Sequence, residues 1–273
     1  MFVGGSNNNA ADTLTVTGGQ ATVQSSGIKV TNGIKIISTC EDVYTSVDVV
    51  TKFYADGNFT VNAIGGTVTG NGACSVGMDL VQGASWNESV FDKGTFNATG
   101  GEASNGISYG IRNSVVNDAT SLYFEFTGAT VTATGGTGKN GSYGITGKEV
   151  TITNGTVTAN AGNSTGDNAS TSAGISCTTL KVSGGTVNAT GGTAEGYSTP
   201  TSYGIHCSGE ATFSGGKITA TGGKASYETD SDTGRQHEAT TYGIYADTMT
   251  ISGAEVTATG ETCGGHVPGA VRN

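Results

Sequence analysis

Leu180 to Gly192 reads LKVSGGTVNATGG, and Tyr203-Gly204-Ile205 follows it after a polar stretch. Within the phrase Leu180, Val182, Val187 and Ala189 alternate with Lys181, Ser183, Thr186, Asn188 and Thr190. An apolar residue at every second position describes strands with one face buried. The pairs Gly184-Gly185 and Gly191-Gly192 stand where those strands must turn, because glycine accepts backbone angles that other residues resist. A segment of variable length then leads to the third short strand, Tyr203-Gly204-Ile205-His206-Cys207.

The same unit returns along the chain as FTGATVTATGG from Phe126, TNGTVTANAG from Thr153, FSGGKITATGG from Phe213 and ISGAEVTATG from Ile251. Its central apolar residues, Val131, Val157, Val187, Ile218 and Val256, follow one another at 26, 30, 31 and 38 residues, a period proper to stacked repeats. The second signature recurs as Tyr109-Gly110-Ile111, Tyr143-Gly144-Ile145, Ala173-Gly174-Ile175 and Tyr242-Gly243-Ile244. Fainter copies are VTGGQATVQ from Val16, AIGGTVTGNG from Ala63 and DKGTFNATGG from Asp92.

The expected fold is all-β: a right-handed parallel β-helix, a solenoid with three strands in each of about eight coils. An antiparallel sandwich would supply hairpin turns, but would not explain identical phrases returning once per coil. Residues 1–12 read as an N-terminal linker and 13–273 as a single β-helix domain. Within it, residues 34–57 (IKIISTCEDVYTSVDVVTKFYADG) read as an irregular insertion or cap over the open first coil.

With 47 Gly, 2 Pro and 12% charged residues the chain has the composition of a low-complexity segment, yet its apolar residues keep regular alternate positions, which argues for a folded array. A formal net charge of −10 disfavours nucleic acid and anionic membranes as partners. Arg112, Arg235 and Arg272 are the three arginines and are far apart, so no basic stripe forms. No run approaches the roughly 18 apolar residues of a membrane span. MFVGGSNNNAAD lacks the basic and apolar regions of a signal peptide and reads as a linker after a removed signal or as an expression start. A surface rich in Gly, Thr, Ser and Asn resembles that of secreted bacterial proteins, so the expected location is extracellular or the bacterial cell surface.

Cys177 and Cys207 each stand two places after the Ile of their signature and should stack in adjacent coils. Their parallel Cβ vectors suit two buried thiols better than a disulfide. No Cys/His spacing suggests zinc.

Four surfaces are candidates for function. The outward positions of the central strand form two columns, Thr132, Thr158, Asn188, Thr219, Thr257 and Thr134, Asn160, Thr190, Thr221, Thr259. With about 6.8 Å between residues along a strand and about 4.8 Å between coils, they make a flat grid of hydroxyls and amides suited to a polysaccharide or to ice. Threonine is equally at home on a plain solvated strand face. The second surface is the Tyr109, Tyr143, Tyr203, Tyr242 column, whose aromatic faces suit stacking on sugar rings; simple alternation instead points it inward as a buried or corner ladder, because each tyrosine precedes an inward Ile by two residues. The third is one corner of the solenoid, where the variable segments 101–108, 137–142, 162–172, 193–202 and 224–241 all fall; it offers Tyr197 and Tyr227 as sugar contacts. The fourth is acidic: Glu228, Asp230 and Asp232 in the longest segment are candidate Ca²⁺ ligands, with Asp167 and Glu195 in earlier segments at the same corner. Arg235 and His237 beside Asp230 and Asp232 are the only acid-base cluster a polysaccharide lyase could use.

LKVSGGTVNATGG followed by YGI resembles the repeats of secreted bacterial carbohydrate-binding β-helix proteins, over about residues 58–260. The resemblance implies a pectate-lyase-like right-handed β-helix that binds plant polysaccharide and, in some members, calcium. An Asp-Asp-Gly-Ile form typical of many such repeats is here Tyr-Gly-Ile or Ala-Gly-Ile. The expectation is a non-catalytic protein that binds a polysaccharide or host glycan, needs no cofactor beyond the candidate calcium, and does not insert into membranes. The alternatives are a spacer or adhesin that binds a protein receptor, an ice-binding protein, and a polysaccharide lyase.

Overall fold

A computed structural model of the chain describes residues 13–31, 49–54, 60–82, 87–115, 122–166, 170–196, 198–227, 238–261, 263 and 269–272. Among them no helix occurs, every strand pairing is parallel, and nineteen strands join one continuous sheet that winds round a main core, with a small second cluster of Val68, Ala73 and Ala103. Stacking of like phrases accounts for the parallel pairing: each coil repeats the pattern of the last, so each strand meets its own counterpart.

The pairings follow three ladders. The threonine ladder begins with Thr13–Thr17, Thr60–Ile64, Thr95–Thr99, Thr130–Thr134 and Thr156–Asn160. It continues through the last residues of Thr179–Thr190 and Thr201–Thr221 to Glu255–Thr259. The tyrosine ladder runs through Gln24–Thr31, Cys74–Gln82, Ile107–Val115, Gly141–Thr146 and Thr171–Cys177, then the first residues of Thr201–Thr221 and Thr240–Ile251, to Gly269–Arg272. The phenylalanine ladder links Val49–Tyr54, Asn87–Lys93, Leu122–Phe126 and Glu149–Ile152 with the remaining parts of the long strands.

Alternation fills the core with columns. Val61, Phe96, Val131, Val157, Val187 and Ile218 form one, and Ile111, Ile145, Ile175, Ile205 and Ile244 another; all are fully buried. Phe91 stacks on Phe126 at 5.1 Å and meets Phe96 edge-on at 5.3 Å. An alanine column, Ala63, Ala98, Ala133, Ala159, Ala189 and Ala220, lines the narrow edge where the threonine and tyrosine ladders converge. Opposite it sit the glycines of the Tyr-Gly-Ile signature. A Cβ on Gly204 would lie 2.6 Å from the Thr221 nitrogen and 2.9 Å from the Ala189 oxygen, so only glycine fits.

The turn expected at Gly184-Gly185 is instead a kink within a continuous strand, Thr179–Thr190. There the register slips against the next coil, and Gly185 takes φ of 77°. Gly155 and Gly216 hold the same corner in neighbouring coils with φ of 89° and 85°.

A column of buried serines closes the Gly-Gly turn between the threonine and tyrosine ladders. Ser75, Ser108, Ser142, Ser172 and Ser202 are wholly inaccessible to solvent. The hydroxyls of Ser108, Ser142, Ser172 and Ser202 donate to the carbonyls of Gly101, Gly136, Gly162 and Gly192 at 2.7–2.9 Å. The same oxygens accept the N–H groups of Gly136, Gly162, Gly192 and Gly223 in the following coils, again at 2.7–2.9 Å. Each serine thus satisfies a buried carbonyl in its own turn and a buried N–H in the next, which a turn packed under another turn requires.

One expectation about the first coils is corrected. In the copies placed at Val16 and Ala63 the strand lies before the Gly-Gly pair: Thr13–Thr17 pairs with Thr60–Ile64, and Gly18-Gly19 and Gly65-Gly66 are the turns that follow. Gly-Gly occurs at two corners of the unit, and alignment on it took one corner for the other. Of the segment read as an insertion or cap, Val49–Tyr54 is a strand of the phenylalanine ladder; residues 34–48 and 55–57 lie outside the described residues.

Candidate functional site

The two outward columns of the threonine ladder stand as the spacing predicts. Thr132, Thr158, Asn188 and Thr219 are successive register partners, as are Thr134, Asn160, Thr190 and Thr221. Their neighbours Val131, Val157, Val187 and Ile218 are buried, so strand alternation turns these eight outward, and they are half-exposed or exposed. Toward the N-terminus the first column continues as an amide ladder: the Asn97 amide donates to Asn62 at 2.9 Å, and the Asn62 amide to Thr15 at 3.2 Å. From Thr132 onward the described residues offer these hydroxyls and amides no side-chain partner, which leaves them open to solvent or ligand. Ion pairs border the grid, Lys217 with Glu255 at 2.8 Å and, on the adjoining ladder, Lys181 with Glu149 at 2.7 Å. Both are exposed and add little to stability.

The tyrosine column departs from its expected direction. Ser202 before Tyr203 is buried, and so are both Gly204 and Ile205 after it, while Tyr203 itself is half-exposed. Two successive inward positions, glycine then isoleucine, break the period of two. The tyrosine therefore faces outward on the same side as the residue three places later. Tyr109, Tyr143 and Tyr242 repeat this arrangement.

Two side-by-side outer columns result. In one, Tyr109 and Tyr143 lie 5.5 Å apart, Ala173 interrupts, and Tyr203 and Tyr242 follow 5.7 Å apart with nearly parallel rings. The other reads Lys29, Asp79, Arg112, Thr146, Ser176, His206, Tyr245, Arg272. Within it the Arg112 guanidinium pairs with the buried Asp79 carboxylate at 2.9 and 3.0 Å and lies 5.2 Å from the Tyr109 ring centre. Further along, His206 and Tyr245 join Tyr203 and Tyr242 in a cluster of four rings, with centroid distances from 4.6 Å (Tyr203 to His206) to 5.8 Å (Tyr203 to Tyr245). Burial pushes the Tyr203 phenol up to about 12, with the neighbouring Tyr242 and Tyr245 adding to the rise. Burial also lowers the His206 pKa, against a smaller opposing pull from Asp247.

Cys177 and Cys207 are register partners in adjacent coils, buried and unbridged. A hydrogen bond shared with Cys207, together with burial, pushes the Cys177 thiol pKa up.

At the variable corner Tyr227 closes the short strand Ala225–Tyr227, which pairs with Ala194–Gly196, so the corner carries a strand ladder of its own. Tyr197, Glu228, Asp230 and Asp232 lie outside the described residues, as do Asp167, Arg235 and His237. Among the described residues no group of three His, Cys, Asp or Glu side chains is placed to hold a metal ion.

Two features escaped the sequence reading although their signals are present. A serine or threonine stands before the tyrosine or alanine in each clear copy, at Ser108, Ser142, Ser172, Ser202 and Thr241, and marks the turn-closing column. A ring at the position after the isoleucine, His206 and Tyr245, marks the aromatic cluster once the tyrosine is known to face outward.

The chain matches no protein-family model, no curated protein and no solved structure. The fold and the two outer faces therefore carry the functional argument.

Proposed function

We propose that the chain is a right-handed parallel β-helix of about eight coils that binds carbohydrate without catalysis, outside the cell or on a bacterial surface. In this reading it is akin to the secreted carbohydrate-binding β-helix proteins that its repeats resemble. The observation that carries the proposal is the outward grid of Thr132, Thr158, Asn188, Thr219 and Thr134, Asn160, Thr190, Thr221, in register across four coils, with no described side chain engaging it. A spacing of about 4.8 Å between coils presents hydroxyls and amides as a regular two-dimensional array. A polysaccharide whose own hydroxyls repeat along the chain can meet such an array at many points, each weak and together specific. The net charge of −10 favours a neutral glycan over an acidic one.

The test is retention by insoluble polysaccharides with and without calcium, for the wild type and a Thr132→Val/Thr158→Val/Thr219→Val variant. Valine keeps the β-branched shape and removes only the hydroxyl. The proposal expects the wild type to be retained and the variant to lose at least tenfold in affinity with unchanged folding. A calcium requirement would bring in Glu228, Asp230 and Asp232. Thermal hysteresis without sugar binding would move the grid to ice, and binding confined to a protein receptor would make the chain an adhesin.

A further inference from the structure

We propose that Tyr203, His206, Tyr242 and Tyr245 form a stacking subsite for a neutral pyranose ring, on a face of the solenoid separate from the Thr/Asn grid. The inference rests on the carbohydrate reading and deepens it, by assigning a second surface with different chemistry.

The cluster is local. Along the column that follows the isoleucine, Thr146 and Ser176 occupy the coils before His206 and Tyr245, so rings fill both outer columns side by side only in the last two coils that carry the signature. The Tyr203 and Tyr242 rings occupy the same register position, 5.7 Å apart and within 17° of parallel, so they form an offset stack from one coil to the next. Tyr245 stands at 68° to Tyr203 and 60° to Tyr242, at an angle to that stack, and all four side chains are half-exposed.

Half-exposed rings with polar edges match a pyranose, whose axial C–H groups make one apolar face and whose equatorial hydroxyls form a polar rim. Phenol oxygens and imidazole nitrogens supply both donors and acceptors at that rim. Burial raises the Tyr203 pKa and lowers that of His206, which keeps both neutral near pH 7, and Asp247 beside His206 repels an acidic sugar. None of the four side chains belongs to the core columns.

The repeat itself provides mild replacements: Ala173 stands in register with Tyr203, and Ser176 and Thr146 occupy the His206 and Tyr245 column. Tyr203→Ala/His206→Ser/Tyr245→Thr therefore substitutes residues that neighbouring coils already hold. Calorimetric titrations would use cellohexaose, mannohexaose, hexagalacturonate and choline with the wild type, this ring variant and the Thr→Val variant of the grid. The subsite predicts that a neutral hexasaccharide binds the wild type, loses at least tenfold in affinity in the ring variant, and keeps some binding in the grid variant. It also predicts no binding of hexagalacturonate. Undiminished binding by a ring variant with wild-type circular dichroism and melting would remove the subsite and leave the carbohydrate reading standing. Choline binding at the rings without sugar binding there would make the cluster a cation cage and overturn the subsite. Failure of every sugar on the wild type, together with failure of insoluble polysaccharides, would overturn both.

Discussion

The Gly162 N–H donates to the Ser142 hydroxyl oxygen at 2.8 Å, across the step from one coil to the next. The same hydroxyl donates to the Gly136 carbonyl at 2.7 Å within its own coil. Most inter-coil bonds here run backbone to backbone, and this column adds a buried side-chain spine at the Gly-Gly turn.

Ser142→Ala should therefore destabilise by more than the lost volume suggests. It strands one N–H and one carbonyl out of contact with water, a cost of about 1–3 kcal/mol for a buried unsatisfied group. Urea unfolding of Ser142→Ala and Ser172→Ala measures it, and Ser104→Ala, at an exposed serine, serves as the control with no shift beyond about 0.5 kcal/mol.

Gly204→Ala should cost about 1–3 kcal/mol through overpacking, since its Cβ would meet the backbone oxygen of Gly243 and nitrogen of Thr221 at 2.6 Å. Gly19→Ala has nothing within 4 Å of the new carbon and no positive φ, so it should be neutral or slightly stabilising. Thermal melts of the two variants separate close approach from any general intolerance of alanine.

Cys74 and Cys263 are half-exposed, whereas Cys177 and Cys207 are buried. Brief treatment with iodoacetamide under native conditions should label the first two and spare the second two, with all four labelled in urea; peptide mass spectrometry reads the result. Native labelling of Cys207 would mean that the stacked coils open readily at the tyrosine ladder.

Stability should fall in acid and in strong alkali through the aromatic cluster. The His206 pKa is lowered from an ordinary 6.5, so the folded state holds fewer protons there than the unfolded chain. Its contribution is present above pH 6.5 and is lost as pH falls below it. The Tyr203 pKa rises from 10.0 to about 12, so its contribution is present below pH 10 and is lost as pH climbs through 12. Comparing urea midpoints across pH for the wild type and His206→Ser, the acid-side loss should shrink in the variant while the alkaline loss stays.

Period and column were legible in the sequence because both depend on alternation and repetition alone. Thr132, Thr158, Asn188 and Thr219 align, and Cys177 and Cys207 stack, as their positions in the unit require. The tyrosine direction was not legible, because the glycine at 204 and its counterparts insert a second inward residue, and a period-two count then carries Tyr203 to the wrong side. The first coils were misaligned at Val16 and Ala63 because Gly-Gly marks two corners, and only the pairing of Thr13–Thr17 with Thr60–Ile64 tells them apart. Direction at the outer face and register at the first coils both depend on how the ladders converge, which one strand's pattern does not contain.

The most direct measurement of the central claim is a glycan array probed with the wild-type chain and the Thr132→Val/Thr158→Val/Thr219→Val variant. The account predicts signals on neutral polysaccharides that weaken at least tenfold in the variant. A wild-type chain that is folded by circular dichroism and binds no glycan on the array would contradict it.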